Sequence, residues 1–170
     1  MSNFDQDLDK NPSNFIPLSP ITFLERAKDV YPDYEALVYE DRKYTWKQVY
    51  ERSTQFASSL TKQGIGLGDT VSVLAANTPE LFEAHYSVPM TGAVINTINI
   101  RLDPHTIAYI LDHSDAKLFI MDTQFSPTIK KALDLVSKNI LIIDIVDEKA
   151  QLKEGEGERR IKFEGFLSKS

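Results

Sequence analysis

Four dipeptides set the grain of this chain: Ser19-Pro20, Thr78-Pro79, Asp103-Pro104 and Ser126-Pro127. In each, a small oxygen-bearing side chain can accept from free N–H groups at a helix start. Proline then takes the first turn, where a missing N–H costs nothing. Helical spacing follows: Ile21, Leu24 and Ala27; Ile107, Ile110 and Leu111; Ile129, Ala132, Leu133 and Val136. A further helix begins at Thr45, where Thr45-Trp46-Lys47-Gln48 reads as a capping box and Gly64 suits the stop.

Between these helices lie short apolar runs. They predict strands at Thr70 to Ala75, Ala93 to Ile98, Lys117 to Met121 and Ile140 to Val146. The runs are continuous rather than alternating, as in strands covered on both faces. The pattern predicts an α/β fold, a parallel sheet of alternating strands and helices with right-handed crossovers. Ala36 to Tyr39 and Lys43 to Thr45 flank Glu40-Asp41-Arg42 as a small preceding β-hairpin. The chain divides into a polar arm at 1–18, an α/β subdomain at 19–146, and a charged loop with a short terminal helix at 147–170. Asp147 to Lys162 reads as exposed loop and Lys162 to Ser170 as one more short helix.

Composition excludes several classes. The net charge of −6 over 170 residues argues against a nucleic-acid binder, which needs a basic face. The chain has no cysteine, so disulfides, thiolate metal sites and a Cys nucleophile are excluded, and a reducing compartment, the cytoplasm, fits. Its start is acidic and polar, unlike a signal peptide. Ala84 to Ile100 carries no formal charge, but Pro89, Gly92 and two asparagines make it soluble core rather than a membrane span.

The candidates for chemistry are few. Gly64-Ile65-Gly66-Leu67-Gly68-Asp69 follows a helix and precedes a strand, the reverse of a dinucleotide fingerprint, and reads as a turn. His85, His105 and His113 lack metal-ligand spacing. His105 reads as exposed in a first turn, and His113 as suited to a helix C-terminus. His85 precedes Pro89 by four residues, so the helix should bend or end there. It reads either as a cavity-lining residue or as a histidine bonded within the core. Thr97, Asn99 and Arg101 form a polar ladder at a strand's carboxyl end, where parallel sheets bind ligands. Arg101 suits phosphate through its planar fork. From the residues alone it could equally pair with an acid such as Asp103, with Asn99 satisfying a loop backbone.

Several segments together resemble the N-terminal part of the AMP-forming acyl-CoA synthetases, the adenylate-forming superfamily. They are Lys43-Tyr44-Thr45-Trp46-Lys47-Gln48-Val49, Gly68-Asp69-Thr70-Val71, Ala75-Ala76-Asn77-Thr78-Pro79-Glu80, Pro89-Met90-Thr91-Gly92-Ala93-Val94-Ile95-Asn96 and Asn99-Ile100-Arg101-Leu102. The resemblance is greatest to the short- and medium-chain fatty acid ligases. It implies part of a large N-terminal domain, with a carboxylic acid, ATP and CoA as substrates and Mg2+ as the accompanying ion. It also implies cofactor binding by Arg101, near the CoA phosphates; the ladder residue Asn99 is a second cofactor-binding candidate, and His85 at the proline-bent helix end is a substrate-cavity candidate. The family's phosphate loop and catalytic lysine lie downstream of the matched region. The expected partner is therefore the rest of the same polypeptide, with 1–170 inactive alone. A homodimer is compatible with this. The alternative is a non-catalytic, stand-alone doubly wound α/β binding or interaction module.

Overall fold

The computed structural model describes residues 9–11, 13, 15–146 and 160–168. In chain order the elements are α1 (Pro20–Val30), β1 (Glu35–Tyr39), β2 (Arg42–Thr45), α2 (Trp46–Lys62), β3 (Thr70–Leu74), α3 (Pro79–Met90), β4 (Val94–Thr97), α4 (Pro104–His113), β5 (Ala116–Asp122), α5 (Ser126–Leu133), β6 (Leu141–Ile145), β7 (Arg160–Lys162) and α6 (Phe163–Leu167). The first two strands pair antiparallel as the expected hairpin. The other five form a parallel sheet in the order β4-β3-β5-β6-β7.

The helix starts behave as the sequence suggests in three cases and differ in two. Ser19 and Thr22 form a reciprocal capping box, as do Thr45 and Gln48. Asp103 accepts from the backbone N–H groups of His105 and Thr106. Thr78 sits at the N-cap of α3, but its hydroxyl makes no capping hydrogen bond. Ser126 is the first residue of α5 and not its cap. There a 3₁₀ turn, Thr123–Phe125, precedes the helix and Asp122 caps that turn instead. Gly64, at φ +79°, follows the end of α2 as expected of a C-terminal glycine.

Side-chain alternation along the strands divides the core in two. Val71, Val73, Leu118, Ile120, Ile143 and Ile145 face one cluster, with Phe56 and Leu60 of α2, Ala84 and Val88 of α3, and Phe163 and Phe166 of α6. Leu74, Phe119 and Met121 face the other, with Ile107 and Leu111 of α4 and Ile129 and Ala132 of α5. The expectation of coverage on both faces holds for β3 and β5. It does not hold for β4, an edge strand with Val94 exposed.

The last described segment corrects the exposed-loop reading. Residues 160–162 are a fifth strand, paired in parallel with β6. The rest of that loop, 147–159, lies outside the described residues. The expected short helix forms at Phe163–Leu167. It docks on α2 through Phe56, whose ring meets Phe163 and Phe166 edge-on at centroid distances of 4.7 and 5.8 Å. The Ser59 hydroxyl donates to the Phe166 carbonyl at 2.8 Å. Phe56 is fully buried between these elements. Replacing it with alanine should therefore cost about 3–5 kcal/mol, read as a lowered denaturant midpoint with the same transition slope.

Candidate functional site

A cleft of about 650 Å³ opens at the carboxyl ends of β3 and β4. Its floor comes from Ala75, Ala76 and Asn77, which follow β3, and from Thr97 to Ile100, which close β4. Leu81 and His85 of α3 form one wall. A smaller apolar pocket of about 230 Å³ adjoins it, lined by Leu37, Thr78 and Phe82 and sharing Asn77, Leu81 and His85. Parallel sheets bind ligands at this end because the crossover loops leave it open.

The polar ladder does not continue the strand. β4 ends at Thr97, and Asn99 to Arg101 form a turn in which Asn99 Oδ1 accepts the Arg101 N–H at 2.9 Å. Asn99 lines the cleft, whereas Arg101 follows the lining residue Ile100 and is exposed. Among the described residues no carboxylate pairs with Arg101. The surface ion pair with Asp103 is thereby overturned. Asp103 instead accepts from the Thr106 hydroxyl and the two N–H groups of the first turn of α4, which hold its carboxyl below the usual range.

His85 is exposed on the cleft wall, not bonded within the core. Its Nδ1 lies 2.7 Å from the Leu81 carbonyl, one turn back. A carbonyl can only accept, so Nδ1 carries a proton and donates it there. As Pro89 required, α3 ends one residue later, at Met90. Gly92, at φ +80°, then turns the chain into β4 against Leu67, where a Cβ would meet the Leu67 backbone at 3.3 Å. His105 is exposed, and His113 ends α4 with its ring stacked on Tyr109.

The opposite face of α3 holds charges that sequence reading missed. Glu83 is fully buried, and Arg52 of α2 donates to it through Nε at 2.5 Å and Nη2 at 3.2 Å. The same guanidinium reaches Glu164 of α6 at 2.7 Å and lies over the Tyr44 ring. One turn earlier, buried Glu80 accepts from Arg42 of β2 at 2.7 Å. Their spacing was available in the sequence, since 80 and 83 share a helix face and 81 and 85 lie across from it. Nothing local marked their arginine partners, which are 31 and 38 residues away in sequence. Asp122, buried at the end of β5, was missed as well. It accepts from the Gln124 side-chain amide at 2.8 Å and, at 3.5 Å, from the Ala76 N–H of the cleft floor.

Residues 24–165 match the family model described as AMP-binding enzyme. The chain is 43% identical over 171 residues to acetate–CoA ligase CCL3 of Humulus lupulus, covering 95% of this chain and 30% of that protein. It is 47% identical over 124 residues to the peroxisomal butyrate–CoA ligase AAE11 of Arabidopsis thaliana, covering 73% of this chain and 22% of that one. Among solved structures it resembles the anthranilate CoA ligase AuaEII in complex with anthranoyl-AMP. There the TM-score is 0.78 at 26% identity, covering 88% of this chain and 27% of that one. The chain thus spans less than a third of the length of these relatives.

Burial pushes the Glu83 carboxyl up to about 7 from an ordinary 4.5, against the pull of Arg52. A carboxyl raised by folding binds its proton more tightly in the folded state. Its contribution to stability is complete below about pH 4.5 and is lost as pH rises through about 7. Chemical denaturation across that window should show stability falling by up to about 3 kcal/mol. Glu83→Gln should flatten the slope.

Proposed function

The chain belongs to the AMP-binding enzyme family, and on that premise we propose that the whole protein is an ATP-dependent carboxylic acid:CoA ligase. In the first step a substrate carboxylate oxygen attacks the α-phosphate of ATP, giving an acyl-adenylate and releasing pyrophosphate. In the second, the CoA thiolate attacks the acyl carbon and displaces AMP. Short carboxylic acids are the substrate class we favour. The relatives named for acetate and for butyrate support that choice.

The observation that carries the reading is the cleft at the ends of β3 and β4, with the exposed Arg101 guanidinium, which no carboxylate among the described residues pairs, beside it. In this reading Arg101 binds a CoA phosphate by charge-assisted hydrogen bonds. Asn99 and His85 orient the ligand in the cleft, the His85 ring being held by its Nδ1 contact with the Leu81 carbonyl. Among the described residues no group of three His, Cys, Asp or Glu could hold a metal. Magnesium would accompany the ATP phosphates. Coverage of less than a third of the relatives' length supports the companion proposal that residues 1–170 alone do not complete the reaction.

We place the protein in the cytoplasm on its cysteine-free composition. The butyrate–CoA ligase relative is named as peroxisomal, so imaging of the tagged protein decides between the two compartments. No helix among the described residues is long and apolar enough to cross a membrane.

Arg101→Ala in the whole polypeptide should weaken CoA binding about fivefold and leave the KM for ATP unchanged. Calorimetric titration and steady-state kinetics read both. An unaltered CoA affinity would remove Arg101 from the site.

A further inference from the structure

The outer side of α4 carries aromatic rings that the cleft does not use. His105, Tyr109 and His113 recur every four residues, so they follow one line along the helix. All three are exposed, while Ile107, Ala108 and Leu111 bury the other side. The Tyr109 and His113 rings stack on each other, with 5.3 Å between centroids and planes 10° apart. Tyr109 keeps 64% of its surface exposed. A lone exposed tyrosine needs no explanation, but two rings held parallel present an ordered flat surface. Such a surface suits a planar base, because every base has a face that can stack on an aromatic ring.

The line starts just after Arg101 in the chain. The turn at Asn99 to Arg101 leads through Leu102 and the N-cap Asp103 into α4. Asp103 turns its carboxylate onto the N–H groups of His105 and Thr106 and the Thr106 hydroxyl. The group at this end suited to a phosphate is therefore Arg101. At about 1.5 Å per residue, Tyr109 lies about 8 Å along α4 from its first residue, Pro104. A nucleotide carries its base and its phosphates on different sides of one ribose, a separation of the same order. Chain order also matches ligand order. Thr97 to Ile100 line the cleft, Arg101 follows, and the ring pair comes last. In CoA the thiol arm, the phosphates and the adenine come in that order.

Resting on the CoA reading of Arg101, we propose that the Tyr109–His113 pair is the seat of the CoA adenine: the base stacks on Tyr109 while Arg101 holds a phosphate of the same nucleotide. ATP also carries adenosine and phosphates, so the experiment separates the two sources. In the whole polypeptide, Tyr109→Ala should weaken CoA binding about five- to tenfold in calorimetric titration. Tyr109→Phe keeps the ring and should bind within about twofold of wild type. The KM for ATP should not move in either variant. With 4′-phosphopantetheine as the thiol substrate, which lacks the base, Tyr109→Ala and wild type should give the same kcat/KM.

An unaltered CoA affinity in Tyr109→Ala would overturn the proposal. An equal loss with 4′-phosphopantetheine would overturn it too, since the change would then lie in α4 itself and not in a lost base contact. A raised KM for ATP with CoA affinity unchanged would give the platform to the ATP base and likewise overturn it. If wild-type protein binds no CoA, the ligase reading fails and the platform with it. If wild type and Tyr109→Ala bind CoA alike, the platform alone fails and the ligase reading stands.

Discussion

A parallel sheet must be covered on both faces, and the rest of this structure follows from that requirement. Its strands carry apolar side chains to each side: Val71 and Val73 to one face, Leu74 to the other, and likewise Leu118 and Ile120 against Phe119 and Met121. Neither face can meet water without exposing a row of large residues, at roughly 25 cal/mol per Å². So α2, α3 and α6 cover one face, while α4 and α5 cover the other. Crossovers that serve both faces leave the carboxyl ends of the strands free, and there the cleft forms.

The helix that walls the cleft is also the one that carries buried charge. A carboxylate without exposed surface is costly unless fully paired. Glu83 tolerates its position because Arg52 meets both of its oxygens, and Arg52 in turn is steadied by Glu164 and the Tyr44 ring. An aliphatic pair could fill the same space, but it would impose no fixed angle between helices. The ion pair joins α3 to α2 at two points. It also links the cleft to α6, so the described carboxyl-terminal segment belongs to the same packed unit.

Much of the fold was legible in the chain because its signals are local. Ser19, Thr45 and Asp103 cap helices with atoms a few residues away, and Pro89 ends α3 through its own missing N–H. The strands needed only their apolar runs. Reading failed at two local turns and at one strand made by pairing with a separate segment. Ser126 looked like a cap until Asp122 took that role for a preceding turn. Residues 160–162 carry two charges and read as loop, but pairing with β6 makes them a strand. The ladder at Asn99 and Arg101 alternates like a strand, yet β4 stops at Thr97 and the Asn99 side chain folds back on the Arg101 backbone.

By itself the sequence determined the order of helices and strands, the parallel α/β class and the residues worth watching at the end of β4. These depend on periodicity, caps and turn chemistry, all of which act within a few residues. The tertiary structure alone decided that His85 faces a cleft and not the core, that Arg101 has no carboxylate partner among the described residues, and that Glu83 lies buried on Arg52. Each of those depends on which helix face meets which neighbour. That choice is made by packing between segments tens of residues apart, where local chemistry has no reach.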